Sequence, residues 1–145
     1  MADFVGYYEV TVDDKGRLYV PAAFRKALPS EANDTFVITM WFEGCLAVYG
    51  PDYWEKLKKR LRSKLSPMRE RDRRFLRLLI PQAIEVRVDR QGRINIPKRL
   101  LKFAQIKDRA VAAGVLDYFE LWNPEIYEEH LKGSEMTELS EVLEL

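Results

Sequence analysis

The chain has one cysteine, Cys45, and one histidine, His130, among its 145 residues. A single thiol excludes an intramolecular disulfide, and a single imidazole excludes most zinc sites and every catalytic scheme that needs two histidines. No Gly-rich phosphate loop, His-Glu-x-x-His or Cys-x-x-Cys spacing occurs, which removes the motif-borne nucleotide, metalloprotease and dithiol chemistries. Apolar runs are short too. None approaches the ~18 residues that span a bilayer, and the opening Met-Ala-Asp-Phe lacks a basic stretch with an apolar core behind it. The expectation is a cytoplasmic, reduced protein with no catalytic residues, no metal, no cofactor and no membrane contact. What is present is ordinary for a folded chain: 47% hydrophobic and 32% charged residues with 7 Gly and 7 Pro. That excludes collagen-like, low-complexity and wholly disordered classes and fits one domain, or two small halves sharing a core.

An excess of one charge is also missing, since the net charge is +1. Its distribution is uneven. Residues 1–55 carry 4 basic and 9 acidic side chains, residues 56–77 carry 11 and 2, residues 78–116 carry 8 and 3, and residues 117–145 carry 1 and 9. Local patches set the field that a phosphate feels within a Debye length, so a basic middle can hold a nucleic acid despite acidic ends.

The chain repeats itself. Val10-Thr-Val-Asp-Asp-Lys-Gly-Arg-Leu-Tyr-Val-Pro21 matches Val86-Arg-Val-Asp-Arg-Gln-Gly-Arg-Ile-Asn-Ile-Pro97 at an offset of 76, with six identities in twelve positions. Pro51 and Trp54 match Pro124 and Tyr127 at an offset of 73, so duplication is the economical reading. Each copy reads as strand, tight turn, strand, short helix, strand pair, helix. Val10, Val12, Leu18 and Val20 alternate inward in the first copy, and Val86, Val88, Ile94 and Ile96 do so in the second. Gly16 and Gly92 supply the positive φ of a tight turn, and Asp13 and Asp89 can accept the turn amides ahead of them. Pro21 and Pro97 fit the first turn of a helix. Phe36–Met40 pairs with Leu46–Tyr49, and Val111–Val115 with Phe119–Trp122. Between the copies, Trp54, Leu57, Leu61 and Leu65 recur at helical spacing, Ser66-Pro67 breaks the run, and Met68 to Ile80 reads as an arginine-rich helix. Met136, Leu139, Val142 and Leu143 mark a final acidic amphipathic segment.

The duplicated Asp-x-x-Gly-Arg-Leu/Ile-x-Val/Ile-Pro turn resembles the AbrB/SpoVT-type swapped-hairpin DNA-binding domain. Two copies, together with Phe4-Val-Gly6, "CLAVYGPDYW", the basic helix pair and "GVLDYFELW", resemble the MraZ family of bacterial transcriptional regulators over nearly the whole chain. The resemblance implies an α+β, mainly β fold: tandem swapped-hairpin halves forming one pseudo-twofold β-barrel with peripheral helices. The corresponding division is 4–50 and 83–124 for the two repeats, 51–81 for a basic helical linker and 125–145 for an acidic helical segment. It further implies a ring-shaped homo-oligomer, nucleoid-associated, that binds double-stranded DNA at direct-repeat operator boxes. Such regulators usually repress the division and cell-wall gene cluster that includes their own gene. Family DNA recognition centres on Asp-x-x-x-Arg, carried here by Asp13, Lys15, Gly16 and Arg17. In the second copy Asp89, Gly92 and Arg93 match, but Gln91 stands at the lysine's place, where Arg90 can compensate. A second departure, "LLIPQA" from Leu78, touches the linker and not the motif.

Each functional reading has a plainer alternative. Arg17 and Arg93 can meet phosphates or guanine edges, or can only brace their turns through Asp13 and Asp89. The eleven cations of residues 56–77 can form a second phosphate-binding surface or a helix-turn-helix, or else a solvated helix face or a docking surface for the acidic segment of a neighbouring subunit. Trp41, Trp54 and Trp122 lie in apolar segments and read as core sooner than as base-stacking platforms. A rival function of another class is an AbrB-like, antitoxin-type protein-interaction module with weak DNA binding. No nucleophile, base and oxyanion donors converge in the sequence to suggest an enzyme.

Overall fold

The computed structural model describes residues 3–144. Met1 and Ala2 of the opening Met-Ala-Asp-Phe, and Leu145 of the acidic segment, lie outside the described residues. The first copy runs β1 (Phe4–Thr11), β2 (Arg17–Tyr19), α1 (Ala22–Ala27), β3 (Thr35–Met40), β4 (Leu46–Tyr49) and α2 (Pro51–Lys64). A further helix, α3 (Glu70–Leu79), precedes the second copy. That copy runs β5 (Ile84–Arg87), β6 (Arg93–Asn95), α4 (Lys98–Phe103), β7 (Arg109–Leu116), β8 (Phe119–Trp122) and α5 (Pro124–Lys132), and α6 (Met136–Ser140) follows it. The strand-turn-strand-helix-strand-strand-helix order read from the repeat is present in both copies.

The copies do not fold separately. A six-stranded antiparallel sheet has the order β1-β7-β8-β4-β3-β5, and β2 pairs with β6 in a two-stranded ribbon. The sheet therefore interleaves the copies: β1 and the β4–β3 pair come from the first, and the β7–β8 pair and β5 from the second. Leu18 faces Ile94, its own counterpart at the offset of 76, and Ala47 faces Glu120, its counterpart at 73. The pairing is symmetric under exchange of the copies about these two positions. Either side of the first turn, β1 and β2 separate after the bridge Val12–Leu18, and β1 spends its length on β7.

The sheet is covered on both faces, which is why β3 and β4 read as continuous apolar runs in place of an alternation. On one face, Phe36, Ile38, Leu46, Val48, Phe119 and Leu121 meet Leu18 and Ile94 of the ribbon, with Phe24 of α1 and Leu100 of α4. Phe24 stacks on Phe119 at 4.6 Å and meets Phe4 edge-on at 5.6 Å. Burying one such ring contributes roughly 1.5–3 kcal/mol. On the other face, α2 sets Trp54 against Tyr49, and α5 sets Tyr127 against Trp122. Trp41 is partly buried between these two clusters. All three tryptophans thus pack into the interior. Cys45 is buried, its Sγ donating to the Phe42 carbonyl at 3.4 Å, and burial pushes its thiol pKa up. The His130 ring lies 5.1 Å from Trp122.

Three helix starts differ from the sequence expectation. Pro21 and Pro97 sit one residue outside their helices with extended ψ of 136° and 143°, their carbonyls accepting Phe24 and Arg25, and Leu100 and Leu101. The arginine-rich helix begins at Glu70 and not at Met68. The buried Asp72 carboxylate accepts the Ser66 N–H at 2.9 Å and Ser66 Oγ accepts the Met68 N–H at 3.2 Å, holding 66–69 as a turn. Among the described residues no helix is long and apolar enough to cross a membrane.

Candidate nucleic-acid interface

The two turns are built alike. In the first, Asp13 Oδ1 accepts the N–H groups of Lys15 (3.0 Å) and Arg17 (2.8 Å), while Oδ2 accepts Arg17 Nε at 2.7 Å. In the second, Asp89 Oδ1 accepts Gln91 and Arg93 N–H, both at 2.9 Å, and Oδ2 accepts Arg93 Nε at 3.0 Å. Gly16 and Gly92 close the turns at φ of 81° and 84°, a region that costs a residue with a Cβ. The Arg17 backbone N–H foremost holds the Asp13 carboxyl below the usual carboxylate range, and the Arg93 backbone N–H does the same for Asp89. Both carboxylates stay charged at neutral pH.

The two plain alternatives for Arg17 and Arg93 are compatible. Each ion pair uses Nε, and a guanidinium carries four further N–H donors on its terminal nitrogens. The pair orients the fork and leaves it able to take a second acceptor.

Ribbon pairing brings both turns together. The Gly16 carbonyl accepts the Ile96 N–H and the Gly92 carbonyl accepts the Val20 N–H, each at 2.9 Å. The turns therefore stand at opposite ends of the β2–β6 ribbon, about 13 Å apart at 3.3 Å per residue. With Leu18 and Ile94 buried beneath, the alternate residues Arg17, Tyr19, Arg93 and Asn95 form the ribbon's outer face, Arg17 opposite Asn95 and Tyr19 opposite Arg93. The Arg93 guanidinium lies 6.0 Å from the Tyr19 ring centre. Lys15 and Arg90 are exposed at the turn tips.

Three residues of this face escaped the sequence reading. Tyr19 and Asn95 could have been found from the alternation about Leu18 and Ile94. Arg25 could not. Its Nε donates to the Val20 carbonyl at 3.1 Å, and its guanidinium packs on Gly92, within 3.1 to 3.4 Å of where a Cβ would stand. The counterpart of Arg25 is Leu101, which packs on Gly16 in the same way. The second turn, with Gln91 at the lysine's place, thus receives a cation from the first copy.

A family model described as "MraZ protein, putative antitoxin-like" matches the chain twice, over residues 4–78 and 79–143. The chain belongs to the MraZ family. Among similar proteins are the "Transcriptional regulator MraZ" of a Roseiflexus species and that of Roseiflexus castenholzii. Each is 44% identical over 121 residues, covering 83% of this chain and 81% of the relative. A third, of Caldanaerobacter subterraneus subsp. tengcongensis, is 37% identical over 134 residues, covering 92% of this chain and 90% of its own. The MraZ match divides at the end of α3, so α3 closes the first unit as α6 closes the second.

Proposed function

We propose that this chain is a sequence-specific, DNA-binding transcriptional regulator without catalytic activity. The observation that carries the reading is the single exposed face on which ribbon pairing gathers both Asp-x-x-x-Arg turns. A two-stranded ribbon fits the B-DNA major groove, about 12 Å wide, and the ~13 Å between the turns matches that width. Lys15, Arg17, Arg90 and Arg93 contact phosphates and base edges, with Tyr19, Asn95 and Arg25 beside them. Asp13, Gly16, Asp89 and Gly92 shape the turns that present them. The names of the similar proteins support the regulator class.

The finer reading follows the family resemblance. The pairing across copies and the Val12–Leu18 bridge support a swapped-hairpin, pseudo-twofold barrel, with repeats at 4–50 and 83–124, the basic linker at 51–81 and the acidic segment at 125–145. The regulator is cytoplasmic and nucleoid-associated, and represses the division and cell-wall gene cluster that includes its own gene. It assembles as a ring on direct-repeat operator boxes, where several weak ribbons gain avidity, about 100-fold or more over one.

Fluorescence anisotropy with the chain's own upstream DNA tests this, across a salt series and against a scrambled duplex. Tight, salt-sensitive binding to the upstream duplex is expected, weakened in Arg17→Ala by about 1–3 kcal/mol per turn without unfolding. Equal weak binding to both duplexes, or an intact affinity in Arg17→Ala, overturns the reading. The first of those results, with a second protein co-purifying in fixed proportion, moves the assignment to the antitoxin-type module.

A further inference from the structure

We infer that the acidic segment following α5 in one copy of this chain docks in the groove between α2 and α3 of a second copy. Leu61 and Leu65 of α2 and Leu76 and Ile80 at the end of α3 line an apolar groove of about 300 Å³, with Lys58 and Arg62 on its rim. The surrounding residues 56–77 hold 11 cations against 2 acids. Among the described residues, the ion pairs of this stretch are Lys58 with Glu55 and Arg71 with Asp72, so much of the charge faces solvent.

The other surface is its complement. Met136, Leu139, Val142 and Leu143 are 85%, 62%, 86% and 62% exposed. Their spacing puts them along one side of the continuous helical stretch made by α6 and the turn Glu141–Leu143. Glu135, Glu138, Glu141 and Glu144 alternate with them. The α3 helix, which closes the first family unit, covers the sheet by setting Phe75 on Phe42 at 6.1 Å and accepting Thr39 Oγ1 at the Leu79 carbonyl, 2.6 Å away. The α6 helix closes the second unit, yet among the described residues its apolar side stays exposed. Residues 136–143 measure about 12 Å as helix, close to the ~10 Å from Lys58 to Leu65 along α2. An apolar stripe edged with carboxylates thus meets an apolar groove edged with cations.

The occupant is a second copy because the groove is lined by residues 58–80 alone while the same chain's segment stands exposed away from it. A contact between unlike patches repeats from subunit to subunit and closes as a ring when its rotation permits. The inference rests on the oligomeric part of the proposed function and on nothing in its DNA part. Light scattering on the full chain and on a chain ending at Ser134 tests it, with circular dichroism confirming that the shortened chain is folded. The full chain is expected at a multiple of 17.1 kDa and the shortened chain at a smaller mass. Fluorescein-labelled peptide 134–145 is expected to bind the shortened chain, about tenfold more weakly when Lys58→Glu and Arg62→Glu are introduced. A full chain that is monomeric overturns the oligomeric reading itself. An oligomer whose mass survives the truncation, with no binding of the peptide, overturns the docking alone. Unchanged mass with peptide binding retained means the segment folds back on its own groove, which overturns the second copy as occupant.

Discussion

Gly16 and Gly92 share a backbone conformation, yet they are not equally replaceable. A Cβ on Gly16 would stand 2.7 Å from the Ile96 carbonyl oxygen, a backbone atom held by the ribbon pairing. A Cβ on Gly92 would stand 3.1 Å from the end of the exposed Arg25 side chain, which can swing away. The φ strain is common to both and costs about 1–3 kcal/mol. Gly16→Ala is therefore expected to lower the urea midpoint clearly more than Gly92→Ala does, because only the first must also shift backbone. Equal midpoints would show that the ribbon yields at Ile96. Turn chemistry at single residues was legible in the sequence, since Asp, Gly and Arg each do there what their local geometry demands. The Arg25–Gly92 contact was not, because it joins one copy's helix to the other copy's turn.

At the scale of the element, each turn behaves as a carboxylate-centred unit. Its Asp has a pKa lowered on folding, chiefly by a backbone N–H. Such a group adds stability above the unfolded carboxylate value of about 3.9, and that stability is lost as pH falls through the folded value. Carboxyl NMR titration is expected to place the midpoints of Asp13 and Asp89 below that value. In Arg17→Ala the depression at Asp13 should shrink but persist, since the backbone bond remains. A midpoint returned to the unfolded value would mean that the side chain, and not the backbone, holds the turn. The strands beside the turns illustrate what a sequence cannot declare. β2 and β6, three residues each, showed the right alternation, but pairing within a copy and pairing across copies satisfy that alternation equally. Only the shared core, with Leu18 against Ile94, distinguishes them.

For the whole molecule, the duplication foretold two similar halves, and the structure shows that neither half is complete. Residues 1–78 retain the β3–β4 pair but lose β7 from β1, β6 from β2 and β5 from β3. Two strands in isolation are marginal in water. That fragment alone is expected to lack stable monomeric structure, and mixing it with residues 79–145 should restore the far-UV circular dichroism of the full chain. A cooperative melt of monomeric 1–78 would contradict this. The same wiring bears on synthesis. β1 leaves the ribosome ahead of its partner, Arg109–Leu116, which is encoded about a hundred residues later, roughly 5–20 s of translation. Through that interval the first copy offers an open strand edge to whatever is near, and on a crowded messenger the nearest match is the first copy of a neighbouring nascent chain.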